Sequence, residues 1–300
     1  MWRAGRTERA GVTNEAAYWR RRFADFVAAR EREARTAAIP PLTTDIDRGQ
    51  ESSRHLVAIG NEWTKARFHG PFYLLPLPAN ELPATSLVFV QSRSGNTVAK
   101  NPSALGGGEA DKHLIYEGLS RVAADAVLAG AETVRSGSIV LSIWHPELVA
   151  LRESLGLPRH PIQIVATRRG LGLDGLLFNV PELRVIIVMA PPCTDLMTTE
   201  FAARPWITQV EMPSARDLPH AFRQLRQSGI GRISCIGGRT LAGQLLEARL
   251  VQDLYLTTSP REGGEPNTPL SAKPLDGELI LRKRGSGADE GVVFEHLQLR

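Results

Sequence analysis

Short apolar runs alternate with amphipathic segments through most of this chain. The apolar runs are short and rich in β-branched residues, which predicts buried strands, whereas the segments between them repeat at helical spacing. Continuous apolar strands separated by helices need cover on both faces, so the pattern indicates an α/β fold with a mostly parallel central sheet. The predicted strands are 86–91, 125–130, 162–167, 184–189 and 233–236, and the predicted helices are 109–124, 194–203, 215–227 and 240–250.

The end of the chain has a different pattern. Residues 252–258 and 291–299 alternate apolar and polar positions, and a Gly/Pro-rich stretch separates them. A period of two is typical of strands with one solvated face. These segments are therefore predicted to be antiparallel strands that complete one edge of the sheet.

Residues 1–83 are predicted to be an extension of the main domain, residues 84–300. An amphipathic helix is predicted over 14–37, with Asn14 as its N-cap, because apolar residues recur every three or four positions. Its apolar stripe must be buried either on its own domain or on a partner. The segment that follows begins with a polar linker over 43–54 and contains several prolines, so it is predicted to lie over the main domain and not inside the sheet.

Composition narrows the class of protein. The chain is 42% hydrophobic and 23% charged, as in ordinary soluble domains. Nine arginines and five acids in the first 40 residues leave a surplus of four positive charges, which equals the net charge of +4 of the whole chain. The rest of the chain is therefore balanced in charge, and it offers no basic face that would indicate a nucleic-acid partner. No apolar run approaches the roughly 20 residues of a membrane span, and the charged N-terminus does not resemble a signal peptide, so we expect a cytoplasmic protein. Cys193 and Cys235 are expected to be reduced core residues.

Two stretches could bind phosphate. Gly237-Gly238 separates a predicted strand from a predicted helix, and such a corner brings backbone N–H groups close to a phosphate or pyrophosphate. The alternative is a simple turn. Thr167-Arg168-Arg169 follows another strand, where two guanidinium groups either bind a phosphate monoester or remain solvated loop side chains.

Other motifs give no chemistry. Gly170, Gly172 and Gly175 form G-x-G-x-x-G, but a proline follows too soon for the helix that a dinucleotide fingerprint requires. The histidines lack metal-ligand spacing, so no metal is predicted. The chain contains neither a P-loop nor a G-x-S-x-G pattern.

Three stretches, in this order, resemble one known family: residues 124–135 (ADAVLAGAETVR), 235–241 (CIGGRTL) and 250–260 (LVQDLYLTTSP). They are similar to motifs of the pyrimidine reductase family of riboflavin biosynthesis, whose fold is similar to dihydrofolate reductase. The resemblance runs from about residue 86 to the C-terminus. It implies a three-layer dihydrofolate reductase-like fold, NADPH as cofactor, a small heterocyclic substrate and a homodimer.

The resemblance also implies a set of site residues. NADPH would lie on two glycine turns and on the arginine loop, whose Thr167, Arg168 and Arg169 would hold the adenosine 2′-phosphate. The implied cofactor-binding residues are Gly130, Ala131, Thr133, Thr167, Arg168, Arg169, Gly237, Gly238, Arg239, Thr240 and Leu241. The implied substrate-binding residues are Ser92, Ser94, Gly95, Asn96 and Asp111.

This chain departs from the family mainly on the substrate side. The family commonly has S-L-D-G after the first strand, an acid shortly after the G-x-x-T-V motif and Glu before Gly-Gly, where this chain has Ser94, Gly137 and Ile236. We therefore expect an NADPH-dependent reductase of a pyrimidine-like or pteridine-like nitrogen heterocycle. The alternatives are the riboflavin-pathway 5-amino-6-(5-phosphoribosylamino)uracil reductase and a non-catalytic nucleotide-binding or interaction protein on the same fold.

Overall fold

The computed structural model describes residues 7–49, 56–99, 105–135, 139–191 and 193–300, without the side chains of 7–14, 194–196 and 198. Within these residues, ten strands form one sheet in the order β1-β11-β12-β10-β4-β9-β5-β6-β7-β8. The run from β10 to β8 is parallel, whereas β12, β11 and β1 are antiparallel. The strands are β1 Thr43–Asp47, β2 Val57–Ile59, β3 Phe72–Leu74, β4 Ala84–Gln91, β5 Ala126–Gly130, β6 Ile162–Ala166, β7 Val185–Met189, β8 Ile207–Glu211, β9 Arg232–Cys235, β10 Asp253–Thr258, β11 Gly277–Arg284 and β12 Val293–Leu299.

Helices cover both faces of this sheet, while β2 and β3 pair separately. One helix, α3, begins as a short α-helical turn, Gly108–Ala110, and continues in π-helical form over Asp111–Leu119. The others are α1 Thr7–Thr36, α2 Glu62–Phe68, α4 Ala131–Arg135, α5 Pro146–Ser154, α6 Cys193–Ala202, α7 Leu218–Gln227 and α8 Arg239–Glu247.

Alternate residues of the central strands face opposite layers. Ile164 on β6 belongs to an apolar cluster that includes Phe222 of α7 and Leu245 of α8. Val165, its neighbour, faces the other cluster, which includes Met197 of α6. This alternation produces the three-layer arrangement, because a strand buried on both faces carries apolar side chains at successive positions.

Helix α1 packs on its own domain. Phe26 makes an edge-on contact with Trp144 at a ring-centroid distance of 5.6 Å, and Phe23 contacts His160 at 5.5 Å. Near the end of the helix, the Glu33 carboxylate lies 2.6 Å from the Lys112 ammonium group on α3. The apolar stripe of α1 is therefore partly buried against this chain.

The structure confirms the α/β class and the mostly parallel sheet with antiparallel C-terminal edge strands. It also corrects several predicted boundaries. Helix α1 begins at Thr7 and runs through Asn14, so Asn14 is not its N-cap. The supposed linker contains strand β1, whose exposed TTDID sequence adds to the sheet edge by backbone pairing with β11. Cys193 and Cys235 are buried free thiols, as expected.

In the part of the chain that the structure describes, no helix is both long and apolar enough to cross a membrane.

Candidate functional site

The predicted cofactor residues lie in a row at the carboxyl edge of the sheet. Gly130 ends β5 and pairs in register with Ala166 on β6. On its other side, the Gly130 N–H donates to the carbonyl of Gly237 at 3.4 Å. Neighbouring strands are about 4.8 Å apart, so the row from Gly237 to Thr167 spans roughly 10 Å. One extended ligand could therefore contact all three strand ends.

The Gly237-Gly238 corner has no side chains and a backbone that suits only glycine. Gly237 has φ 145° and Gly238 has φ 86°. Gly237 is buried, yet a Cβ added to it would meet no atom within 4 Å, so the space on that side of its backbone is empty. Helix α8 starts at the next residue, and its N-cap residue, Gly238, has no side chain that could cap the first N–H groups of the helix. The corner thus offers close backbone approach and unshielded helix N–H groups, which suits a pyrophosphate.

The remaining residues of the two glycine turns contribute differently. Ala131 and Leu241 are buried in the core, so their side chains anchor the first turns of α4 and α8. Arg239 is exposed, and its Nε donates to the carbonyl of Pro269 at 3.2 Å. Thr240 is also exposed at the start of α8, whereas Thr133 is half-buried in α4.

The Thr167–Gly170 turn presents two arginines to solvent. The buried Thr167 hydroxyl donates to the Gly170 carbonyl at 3.0 Å, so it stabilises its own turn. Arg135 of α4 donates to the same carbonyl at 2.9 Å and ties this turn to the end of β5. Arg168 and Arg169 are exposed, and no described residue forms a hydrogen bond or ion pair with either guanidinium group. Both charges are available for an anionic ligand.

The predicted substrate residues after β4 form a closed turn. The Gly95 N–H donates to the Ser92 carbonyl at 2.9 Å, and the Ser92 and Ser94 hydroxyls are 3.1 Å apart. Asn96 fastens this turn to the loop after β10, because its amide group donates to the Gly263 carbonyl at 3.1 Å. Ser92 is fully buried and stabilises the turn, whereas Ser94 is exposed.

Asp111 lies at the start of the π-helical part of α3. Its carboxylate accepts a hydrogen bond from the Thr257 hydroxyl on β10. Burial raises the pKa of Asp111 to about 6, the charge of Asp289 adds to this increase, and the Thr257 hydrogen bond opposes it. A carboxyl group with such a pKa retains a proton closer to neutral pH than an ordinary aspartate does.

A cavity of about 20 Å³ lies at the opposite edge of the sheet, among Arg232, Asp253 and Tyr255. It has room for about one water molecule, so it is far too small for a nucleotide. The open carboxyl edge remains the candidate site.

Comparison with known proteins identifies the family. Residues 96–289, about two thirds of the chain, match the model of the RibD C-terminal domain.

The chain belongs to the RibD C-terminal domain family.

Individual relatives agree with this assignment. The riboflavin biosynthesis protein RibD of Chlamydia pneumoniae is 27% identical over 164 residues, which cover 51% of this chain and 40% of that protein. The chain thus spans less than half the length of this RibD relative. RibD family reductases are oxidoreductases.

Solved structures show the same fold. A pyrimidine reductase-like protein from Corynebacterium diphtheriae superposes with a TM-score of 0.56 at 21% identity, over 75% of this chain and 95% of that one. Acinetobacter baumannii RibD superposes with a TM-score of 0.56 at 19% identity, over 74% of this chain and 59% of that one. The riboflavin biosynthesis reductase Rib7 of Saccharomyces cerevisiae gives 0.52 at 17% identity, over 75% and 93%. The RibD reductase-like, dihydrofolate reductase-like fold expected from the sequence is confirmed.

Two departures from the RibD pattern can be located in the structure. Ile236, where the family commonly has Glu, is half-buried and packs against the core cluster of α6. Ser94, in place of the aspartate of S-L-D-G, hydrogen-bonds within its own turn. Gly137 lies outside the described residues. Neither of these two positions carries a carboxylate in this chain.

Sequence reasoning missed Arg135, Thr257 and Asp289. Arg135 lies in the quoted G-x-x-T-V-R stretch, so its charge beside a strand end was a usable signal. Thr257 and Asp289 contact α3 from positions more than 140 residues away in the chain. No local spacing indicates such contacts.

Proposed function

We propose that this protein is an NADPH-dependent reductase of a small nitrogen heterocycle of the pyrimidine or pteridine type. The observation that carries the proposal is the row of side-chain-free backbone formed by Gly130, Gly237 and Gly238 at the carboxyl ends of parallel strands. Ligands of open α/β sheets bind at this edge. The start of α8 at Arg239 adds N–H groups that favour a negative charge.

Arg168 and Arg169 support NADPH over NADH. They lie one strand beyond Gly130, at the far end of the row from the Gly237 corner. A guanidinium group makes two parallel hydrogen bonds to a phosphate monoester, which only NADPH carries on its adenosine ribose. Their exposure and lack of partners within the described residues leave them free for this contact.

The chain positions the reactants and holds a proton. When bound, NADPH supplies the hydride that reduces a C=N or C=O bond of the substrate. The turn after β4 and the start of α3 border the neighbouring part of the edge, where the heterocycle would be held. The Asp111 carboxyl, with its pKa near 6, would deliver the proton that the nitrogen or oxygen of this bond takes up as its carbon receives the hydride.

The riboflavin-pathway reductase is the second candidate, because the family and the RibD and Rib7 relatives point to it. Ile236 and Ser94 favour a different heterocycle. The apolar side chain of Ile236 cannot accept the hydrogen bonds that a glutamate would form with a polar substrate. We therefore rank 5-amino-6-(5-phosphoribosylamino)uracil below another pyrimidine or a pterin.

A direct assay separates the candidates. The purified protein is mixed with NADPH and a panel of pyrimidines and pterins that includes 5-amino-6-(5-phosphoribosylamino)uracil, and the loss of reduced nicotinamide absorbance is followed. Turnover of one panel member, reduced at least tenfold in Asp111→Asn with unchanged NADPH affinity, supports the proposal. NADPH binding without any turnover would favour the non-catalytic alternative. Faster turnover of the riboflavin intermediate than of any other compound would establish the second candidate.

A further inference from the structure

The β11–β12 hairpin ends in a tight turn that holds Asp289 in one position. The Asp289 N–H donates to the Ser286 carbonyl at 3.1 Å, and the Asp289 carbonyl accepts from Val292 at 3.1 Å. The Gly285 N–H donates to the Val292 carbonyl at 2.9 Å and closes the turn. The Asp289 side chain is buried, so the hairpin inserts a carboxyl group into the protein at a defined place.

That carboxyl group lies against the first turn of α3. One oxygen of Asp289 accepts the Ala110 N–H at 3.2 Å. The other oxygen lies so close to Gly108 that a Cβ on Gly108 would collide with it. In the same way, a Cβ on Gly107 would collide with the Asp111 carboxylate. Helix α3 has no cap from its own N-cap side chain, because that residue is Gly107. Two carboxyl groups therefore fold over consecutive glycines, and Asp289 supplies the missing cap.

We propose that Asp289 is a positioning residue for Asp111: it fixes the first turn of α3 and places a negative charge beside the Asp111 carboxyl group. The assignment of Asp111 as proton donor rests on the function proposed above. The β11–β12 hairpin would then form part of the reductase site. Like charges at short range favour the protonated form of one partner.

Other charged groups lie on α3 and on the loop after β10. On α3, Glu109 and Glu117 lie 3.3 and 3.4 Å from the ring nitrogens of His113. The Lys112 ammonium group pairs with Glu33 of α1. Arg261, on the loop after β10, has its side chain against Gly106, one residue before the glycines that the carboxyl groups cover.

Burial raises the pKa of Asp111 most, and Thr257 and Asp289 then act on it in opposite directions. The Thr257 hydroxyl stabilises the charged carboxylate by donating to it, whereas the Asp289 charge destabilises it. Asp289→Asn should lower the pKa of Asp111, and Thr257→Val, which keeps the branched shape of the strand residue, should raise it. Asparagine retains an oxygen that can accept the Ala110 N–H, so the charge is removed while the cap can persist.

The experiment measures the Asp111 carboxyl directly by NMR titration of full-length protein labelled with ¹³C at the aspartate carboxyl. Asp111→Asn assigns its signal. We expect a downward shift of roughly half to one pH unit in Asp289→Asn and an upward shift in Thr257→Val. Glu290→Gln is the matched control, since it removes an exposed charge from the neighbouring position of the same hairpin and should leave the signal unchanged.

Equal shifts in Asp289→Asn and Glu290→Gln, or no shift in a folded Asp289→Asn variant, would overturn the proposal. If that variant does not fold, the wild-type titration decides. If the two carboxyl groups are coupled, the chemical shift of the Asp289 carboxyl also changes over the pH range in which Asp111 titrates. Titration curves of Asp289 and Asp111 that are independent of each other would contradict the coupling. None of these measurements requires turnover, so they remain decisive if the reductase assay fails.

Discussion

Replacing Gly237 by alanine tests whether the backbone at this corner binds NADPH, because the effect on NADPH affinity can be measured apart from the effect on folding free energy. Gly237 has φ 145°, a conformation that L-residues rarely adopt, so the variant should lose roughly 1–3 kcal/mol of folding free energy through backbone strain. The new Cβ meets no protein atom within 4 Å, so it adds no clash within the free protein. It would instead project into the space where the pyrophosphate contacts the backbone. We expect NADPH affinity to fall at least tenfold, which corresponds to about 1.4 kcal/mol.

Gly243→Ala is the matched control because it adds the same methyl group inside α8, the helix that begins two residues after Gly237. Gly243 has no positive φ, and a Cβ there also meets nothing within 4 Å. Alanine inside a helix should stabilise the protein by about 0.5–1 kcal/mol and leave NADPH affinity unchanged. Calorimetric titration gives the affinities, and thermal unfolding gives the stabilities. Wild-type affinity in a folded Gly237→Ala variant, or equal losses in both variants, would refute the account of this corner.

Three further substitutions test the interior. His296→Leu should lower the free energy of unfolding in urea by about 3–5 kcal/mol, because it leaves the buried Asp253 carboxylate without its partner at 2.6 Å. The double variant Asp253→Leu/His296→Leu should recover most of this loss. Burial lowers the pKa of Lys283 to about 8 from an ordinary 10.5, so between these pH values the unfolded chain binds more protons than the folded protein. The free energy of unfolding should therefore rise with pH across this window. Lys283→Met should abolish the rise, as measured by urea unfolding at the lower and the upper end of the window. Arg152→Met should cost about 2–4 kcal/mol by the same unfolding measurement, since the buried guanidinium group donates to the carbonyls of Val122 and Ala124 at 3.1 and 2.7 Å.

The parallel core of the fold could be predicted because its strands carry the signal themselves. Residues such as Ile186, Ile187 and Val188 on β7 are buried on both faces, so the run is continuously apolar and stands out from its flanking helices. The glycine corner was predictable for a related reason. Gly237-Gly238 interrupts an apolar strand just before a helical pattern, which is a local event in the sequence.

The outer antiparallel strands β11 and β1 gave weaker signals. Strand β11 carries the sequence GELILRKR, and its Lys283 is buried beneath Phe68, with the ammonium group 4.3 Å from the ring centroid and 2.9 Å from the Thr44 hydroxyl. A buried lysine in a charged stretch looks like an exposed loop from sequence alone. Strand β1 adds to the sheet by backbone pairing, which depends on its neighbour and not on its own side chains.

The substrate side was the least predictable part of the site. The family resemblance implied Asp111, but its partners Thr257 and Asp289 come from β10 and from the last hairpin. Their contacts arise only when the sheet assembles. The side-chain hydroxyls of Thr167 and Ser92, in turn, form hydrogen bonds within their own turns, which residue type alone does not indicate.

Calorimetric titration of the wild-type protein and of an Arg168→Ala/Arg169→Ala variant with NADPH and NADH tests the central claim most directly. The account predicts that wild-type protein binds NADPH at least about tenfold more tightly than NADH, and that the variant loses this preference while still binding NADH. No binding of either nucleotide to folded wild-type protein, or equal affinities for the two, would contradict it.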